Sequence, residues 1–389
     1  MTQEVTDKVE ALLPFLREQA QAAEDLRRIP DETMKALQGT GFFKLVQPTQ
    51  WGGYACDPVI FYDTVRKIAG ACGSTGWVAG ILGIHNWHLA LFSQQTQEEV
   101  WGNDTEVRIS SSYAPMGAGT VVEDGSGYRV SGSWAWSSGS DHADWTFVGG
   151  PVIKDGRPVD FGSFLIPRSE YRIDDVWNVV GLKGTGSNTL VVEDVFVPKH
   201  RFLSYRTMNE LKSPGLEQNT DPLYKMPWGT IHPSTITTPI VGMAYGAYAA
   251  HVEHQGKRVR AAYAGEKAKD DPFAKVRIAE ASSDIDAAWR QVSGNVADEY
   301  AYLLRGEEIP VELRLAARRD QVRATGRAIA SIDKLFESSG ATALANGTPL
   351  QRFWRDAHAG RVHAANDPER AYTMFGSGEF GVPITDTMY

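Results

Sequence analysis

The sequence is short of several things. It holds two cysteines, Cys56 and Cys72, in 389 residues. They make no CxxC pair and no disulfide framework, which points to a reducing compartment. No apolar run reaches the length of about eighteen residues that spans a bilayer. The N-terminus, MTQEVTDKVEALLPFLREQ, carries acids where a signal peptide needs a basic and then an apolar stretch. A cytoplasmic protein with no membrane role is the expectation. An excess of positive charge is also missing. The net charge is −9, with acids and bases mixed along the chain, which disfavours a nucleic-acid or anionic-membrane partner.

Familiar catalytic and cofactor motifs are absent too. No GxGxxG follows a strand and opens a helix, so no Rossmann nucleotide site is indicated. The glycines of GLKGTGSN, residues 181–188, precede a strand and read as a tight turn. No GxxxxGK[ST], HExxH or GxSxG occurs, which removes the phosphate-loop, zincin and hydrolase readings. His85 and His88 share a helix face in IHNWH, but further ligands are wanting, so no metal is expected.

What is present divides into an α+β chain with several parts. Residues 1–106 read as helices, from helical spacing at Val5, Val9, Leu12, Leu13 and Leu16 onward. From 107 to 205 the period turns toward two, with hairpin signals at DGSG and KDGRP, giving a β domain. Residues 206–232 are polar and proline-containing and read as a loop or lid. Residues 233–389 read as a four-helix bundle and tail. Its helices are expected from Ser234 past Ala261, Pro272 to about Leu304, Pro310 to about Ser338 and Leu350 to Asn366. The tail from Asp367 is rich in glycine and proline.

The stretch GSWAWSSGSDHADW, residues 132–145, crowds indoles and hydroxyls together. Strand alternation puts Trp134, Trp136 and Ser138 on one face. That face suits packing against a helical domain, or stacking on a planar cofactor with a hydroxyl at its edge. His85 and His88 sit in WVAGILGIHNWHLALF, and either suits a core histidine or an acceptor for a phenolic proton. His358 and His363, in RDAHAGRVHAAND, do not share a helix face well. Arg260 stands beside Lys257 and Arg258, as a solvated arginine does.

The helical–β–bundle order, with GSWAWSSG, SSSYAPMGAG and the RAAY of 260–263, resembles the acyl-CoA dehydrogenase fold over nearly the whole chain. On that resemblance Trp136 lies by an isoalloxazine, Ser138 reaches its N5 or O4 edge, and Arg260 belongs to an arginine–aromatic element that meets flavin phosphate across a subunit interface. The usual glutamate base after an RD motif is not there. Ala364 takes its place, with His363 beside it. GSTGWVAGILGIHNWHLALF, WSSGSDHADWTFVG and RDAHAGRVHAAND instead resemble the oxygenase components of two-component flavin-dependent aromatic hydroxylases. The branch most resembled hydroxylates 3-hydroxy-9,10-secoandrosta-1,3,5(10)-triene-9,17-dione at C4 in steroid degradation.

That resemblance implies reduced flavin (FMNH2 or FADH2) as a diffusible cosubstrate, O2, a C4a-hydroperoxyflavin, a separate NADH-dependent flavin reductase and a homotetramer. It implies His85 and Ser111 at the substrate phenol, Trp77 near the ring pocket, Ser138 at flavin N5 and His363 near the oxygen-bearing flavin edge. Among Ser110, Ser111 and Ser112, Ser111 is taken. A flavin-dependent acyl-CoA dehydrogenase and a non-catalytic flavin-binding protein are the competing readings.

Overall fold

A computed structural model describes residues 1–122, 124–260 and 265–389. The chain begins with six helices: α1 (Thr2–Glu18), α2 (Ala20–Leu26), α3 (Asp31–Gly39), α4 (Pro58–Ala71), α5 (Gly73–Leu89) and α6 (Gln94–Trp101). The helical spacing that starts at Val5 is broken near Gln19, where α1 ends and α2 begins. Asp57 starts α4 by accepting from the Val59 N–H, and Pro58 fills the first helical position, where no N–H is needed.

Helix α5 differs from its neighbours. Every one of its residues is buried. A helix apolar all round belongs inside a layered structure rather than on it. It packs against α4, against the first strand and against helices of the C-terminal half. Trp77, His85 and His88 lie at i, i+8 and i+11 along it, on one stripe.

Eight strands form one mixed sheet: β1 (Ile109–Ser112), β2 (Gly117–Val121), β3 (Gly127–Ser137), β4 (Trp145–Lys154), β5 (Arg157–Pro167), β6 (Arg172–Asp174), β7 (Asn188–Pro198) and β8 (Phe202–Ser204). Their order is β6-β7-β3-β2-β4-β5-β8, with β1 pairing parallel to β4. Most other pairs are antiparallel.

The strict alternation expected for Trp134, Trp136 and Ser138 fails. The register of β3 against β7 slips between Trp134 and Ser137, which pair with Leu190 and Asn188. An extra residue is accommodated there, and Trp136 adopts φ +66°. This is a β-bulge, and it re-aims the side chains that follow. Trp134 is buried in the sheet core, donating Nε1–H to the Gly149 carbonyl at 2.8 Å. Trp136 is 61% exposed. The two indoles therefore do different things.

The segment expected as a loop over 206–232 is partly helical. A short α7 (Tyr205–Asn209) and two 3-10 turns lead into α8 (Trp228–Lys257), which starts six residues before Ser234 and ends at Lys257 rather than past Ala261. Pro233 lies inside α8 just before the helix start expected at Ser234, and Pro239 lies inside the expected helix as well. Helices α9 (Pro272–Leu304), α10 (Val311–Ser338) and α11 (Pro349–Arg361) complete the bundle. The expected tail opens as helix α12 (Pro368–Glu379), which packs on α10. Asp367 caps it, accepting from the Glu369 and Arg370 N–H groups.

Candidate active site

The site forms where the buried stripe of α5 meets β1, the bulged end of β3, the start of α8 and the turn after α11. For His85, His363 and Ser138 the hydrogen state can be read from the partners.

His85 lies against β1, with Nδ1 2.5 Å from the Ile109 carbonyl. A carbonyl only accepts, so Nδ1 carries the proton and Nε2 keeps its lone pair. Burial holds this imidazole down at about 4, and the Ile109 bond only partly opposes that. His85 is therefore a neutral acceptor.

The three serines of β1 separate by their partners. Ser110 donates to Thr146 Oγ1 at 3.1 Å, and Ser112 donates to the Ala135 carbonyl at 2.7 Å, tying β1 to the bulge. Ser111 points the other way, beside the Tyr113 hydroxyl. Burial, helped by Tyr205, pushes that phenol well above its usual range, and Ser111 draws it back. Tyr113 also meets His88, Oη to Nδ1, at 2.7 Å. His88 is held well below its usual value by burial, then by His85 and His232.

An aromatic belt runs on from here. Tyr113 stands edge-on to Trp228 at 5.1 Å and to His232 at 5.6 Å. Trp228 and His232, one turn apart at the start of α8, stack at 4.8 Å and 8°. His232 lies 5.9 Å from His363, and His363 lies 6.1 Å from Trp77. Tyr205 stacks on Trp228 at 6.2 Å.

His363 sits in the turn between α11 and α12. Its Nδ1 accepts the Ala365 N–H at 3.1 Å, so Nε2 carries the proton. Burial lowers it to about 4. It is a neutral donor, the opposite tautomer to His85. The turn is pinned from below by Asn366, which is fully buried. The Asn366 Oδ1 accepts from Gln321 Nε2 at 2.8 Å and from Thr237 and Thr325 hydroxyls, while Nδ2 donates to the Gly360 carbonyl at 3.0 Å. Arg318 adds a second hold. It donates to the Ala365 carbonyl at 3.3 Å and to the Met388 carbonyl at 2.9 Å. Gly360 is required where α11 passes Trp77, since a Cβ there would lie 2.9 Å from the indole.

Ser138 lies at the far end. Trp77 donates Nε1–H to its oxygen at 3.1 Å, and Ser187 Oγ is 2.8 Å away. Trp136, two residues earlier, offers an open indole face held in a left-handed conformation that side chains rarely adopt. An exposed indole, a buried hydroxyl two residues on and an uncharged imidazole N–H make a donor and acceptor set that fits a flavin ring: apolar at its face, polar along its N5 edge.

Other expectations fall outside this cluster. Arg260 donates to Asp271 Oδ2 at 2.9 Å and lies 3.7 Å from Glu266, in a short β ribbon, β9 (Val259–Arg260) with β10 (Glu266–Lys267). It does not join the cluster of this chain, and Tyr263 lies outside the described residues. His358 bonds the Trp354 carbonyl and faces Asp333, and His142 bonds the Ile29 carbonyl, so both serve structure. Sequence reasoning passed over Tyr113, Tyr205, Trp228 and His232. It also read 181–188 as a bare turn, although that turn supplies Ser187.

Known proteins resemble this chain along nearly its whole length. Residues 234–368 match the family "Acyl-CoA dehydrogenase, C-terminal domain". The chain is 81% identical over 381 residues to the flavin-dependent monooxygenase, oxygenase subunit HsaA of Rhodococcus jostii (strain RHA1), covering 98% of this chain and 99% of that one. The crystal structure of 3-HSA hydroxylase from Rhodococcus sp. RHA1 superposes with a TM-score of 0.95 at 78% identity, covering 99% of each chain. The HsaA monooxygenase from M. tuberculosis superposes with a TM-score of 0.96 at 72% identity, covering 100% of each.

Proposed function

The chain belongs to the oxygenase subunits of the flavin-dependent monooxygenases, and from that premise we propose how its side chains divide the work on a phenol. The substrate proposed is the phenolic ring of 3-hydroxy-9,10-secoandrosta-1,3,5(10)-triene-9,17-dione, hydroxylated at C4 to a catechol. The observation that carries the reading is the unbroken run from Ser138 through Trp77, His363, His232 and the Tyr113–Trp228 pair to His85. It has a polar acceptor at one end, a polar donor in the middle and a second acceptor at the other end, walled by aromatic rings.

Reduced flavin, when bound, supplies the activation of O2. The protein's own part is to bind, orient and exclude water. Trp136 would offer its face to the flavin ring, and Ser138 would accept from N5–H. Trp77 fixes Ser138 and closes the space above it. His363, with Nε2–H free to donate, would hold a polar edge of the bound flavin. A neutral imidazole N–H holds an oxygen without readily surrendering its proton, which protects against loss of oxygen as hydrogen peroxide.

At the other end His85 Nε2 takes the hydrogen bond of the substrate hydroxyl, and Ser111 orients that oxygen. A phenol gains electron density at its ortho carbon as its proton moves away. His85 waits neutral, and the developing phenolate favours its charged form. Acyl-CoA dehydrogenation finds no support here, because the resemblance puts Ala364, which has no acid–base group, where that family has its glutamate.

The protein works with a separate flavin reductase, as an oxygenase subunit does. We also read it as a cytoplasmic homotetramer in which Arg260 reaches flavin phosphate across a subunit interface. Exposed apolar side chains on α9 (Phe273 and Val276) and after α12 (Phe380 and Val382) support subunit contacts. No helix among the described residues is long and apolar enough to cross a membrane.

One assay tests the reading. The protein is supplied with a generic flavin reductase, NADH and a panel of phenols, with catechol and hydrogen peroxide both measured. Catechol is expected from the seco-steroid at higher yield per NADH than from simple phenols. Peroxide alone with every phenol would reject it.

A further inference from the structure

Ser138 is the end of a chain of hydroxyls. Its oxygen is 2.8 Å from Ser187 Oγ, and Ser187 Oγ is 2.6 Å from Thr185 Oγ1. Thr185 Oγ1 donates to the Leu182 carbonyl at 2.9 Å. All three hydroxyl residues are buried, so water does not reverse their order freely. Both ends of the chain are fixed. Leu182 O has no hydrogen to give, and Trp77 Nε1–H, 3.1 Å from Ser138 Oγ, has no lone pair to offer.

Each hydroxyl has one proton, and this sets a direction. Thr185 spends its proton on Leu182, so the Thr185–Ser187 bond takes the proton of Ser187. The Ser138–Ser187 bond then takes the proton of Ser138. Ser138 accepts from Trp77 and is left with lone-pair capacity and no hydrogen to donate.

The turn that provides this order is held firmly. The Leu182 N–H donates to Asp356 Oδ1 at 2.6 Å, and the Gly139 N–H donates to the Thr185 carbonyl at 2.8 Å. Leu182 and Gly186 both adopt left-handed φ, +53° in each. The strained turn docks its hydroxyls directly onto the Ser138–Gly139 corner.

We propose that Thr185 and Ser187 lock Ser138 as a hydrogen-bond acceptor, and that this lock makes the site choose reduced over oxidised flavin. Reduced flavin carries a hydrogen on N5 and needs an acceptor there. Oxidised flavin has a bare N5 and needs a donor. An acceptor-only Ser138 satisfies the first and leaves the second facing lone pair to lone pair. The inference rests on the placing of Ser138 at N5 given above. Thr185 and Ser187 are positioning residues, since they act through Ser138.

The test is binding rather than turnover. Dissociation constants for FMN and FAD are measured oxidised, and again after anaerobic reduction, by equilibrium dialysis. The parent is expected to prefer the reduced forms. Ser187→Ala removes the acceptor of the Ser138 proton, which is then free to turn toward N5. The oxidised-to-reduced ratio is expected to narrow roughly tenfold, the worth of about one hydrogen bond. Thr185→Val is expected to act in the same direction, because Ser187 then turns its proton toward Ser138. Thr185→Ser restores the hydroxyl and is expected to restore the parent ratio. A merely structural role would weaken both redox forms together and leave the ratio alone.

Parent-like ratios in folded Ser187→Ala and Thr185→Val proteins, with Ser138→Ala changing the ratio, would overturn the lock and leave Ser138 at N5. If Ser138→Ala leaves binding of both forms unchanged, the placing of Ser138 is wrong and the lock falls with it.

Discussion

The two histidines proposed to act at this site are the same side chain set in opposite ways. His85, on a fully buried helix, gives its Nδ1 proton to a strand carbonyl and shows an acceptor. His363, in a turn, takes a backbone N–H on Nδ1 and shows a donor. Burial lowers both to about 4. Neither carries charge near neutral pH, so charge does not distinguish them. The backbone atom behind each ring does. The supports differ as well. His85 is held by the packing of α5, whereas His363 depends on a buried polar cluster reaching into α10.

The strongest way to break this comparison is to remove the acceptor. His85→Ala is expected to lower catechol formation by roughly 100-fold or more, the scale of lost acid–base catalysis. Phenols acidic enough to be ionised already should recover much of the loss. Rates measured across phenols of graded acidity check this, and an unchanged dependence on phenol acidity would remove His85 from the proton's path.

Removing the donor should look different. His363→Ala is expected to lower catechol per NADH by roughly tenfold to 100-fold, with the balance appearing as hydrogen peroxide. Acidic phenols should not rescue it. If they do, the two histidines are not divided as donor and acceptor.

The supports can be compared in the same way. Arg318 is buried, and among the described residues no carboxylate lies within salt-bridge reach of it. Burial lowers it to about 10. Arg318→Met leaves the Ala365 and Met388 carbonyls short of a donor. We expect a loss of about 1–3 kcal/mol in stability. We also expect a severalfold rise in peroxide from misplacement of the His363 turn. Thermal melts and the peroxide-to-catechol ratio separate these two effects. A destabilised protein with the parent's ratio would show that the turn holds His363 without Arg318.

Acid should act on both histidines together. Each has a folded value of about 4 against an ordinary 6.5. The folded state therefore binds fewer protons than the unfolded state between these values. Stability from this source is fully present above about pH 6.5, falls as pH drops toward 4 and changes no further below that. Melting followed from pH 7.5 to 4 is expected to show a plateau and then a decline to which each of these two histidines contributes about 3 kcal/mol, with His142 and His251, also lowered to about 4, adding to it. His85→Asn should shallow the decline, and an equal slope in variant and parent would contradict the burial-driven lowering.

Much of this arrangement was legible in the sequence, for identifiable reasons. Histidines in an otherwise apolar helix stand out, and so does a strand that mixes indoles with hydroxyls. The β1 serines were readable as a group, the resemblance took Ser111, and the partners of Ser110 and Ser112 set those two apart from it. Trp136 misled because a bulge leaves no mark on alternation: one inserted residue moved it from the face of Trp134 into the open. Trp228 and His232 were hidden because Pro222, Pro227 and the polar residues around them made a helix start look like loop. Ser187 was hidden because a hydroxyl in a glycine turn has no meaning until the turn docks on Ser138.

The smallest expected effect concerns Tyr113, which stands between the two histidines. Its hydroxyl joins His88 at 2.7 Å and lies beside Ser111. His88 Nε2 is buried without a hydrogen-bond partner among the described residues, so Tyr113 is the main polar tie of that ring. Tyr113→Phe keeps the aromatic wall and removes only the tie. A net loss of about 0.5–1.5 kcal/mol is expected for one hydrogen bond. If the tie also steadies Ser111, the KM for the phenol should rise severalfold, with peroxide per NADH at saturating phenol unchanged. A rise in peroxide instead, with KM untouched, would place Tyr113 with the His363 end and shift the dividing line between the two halves of the site.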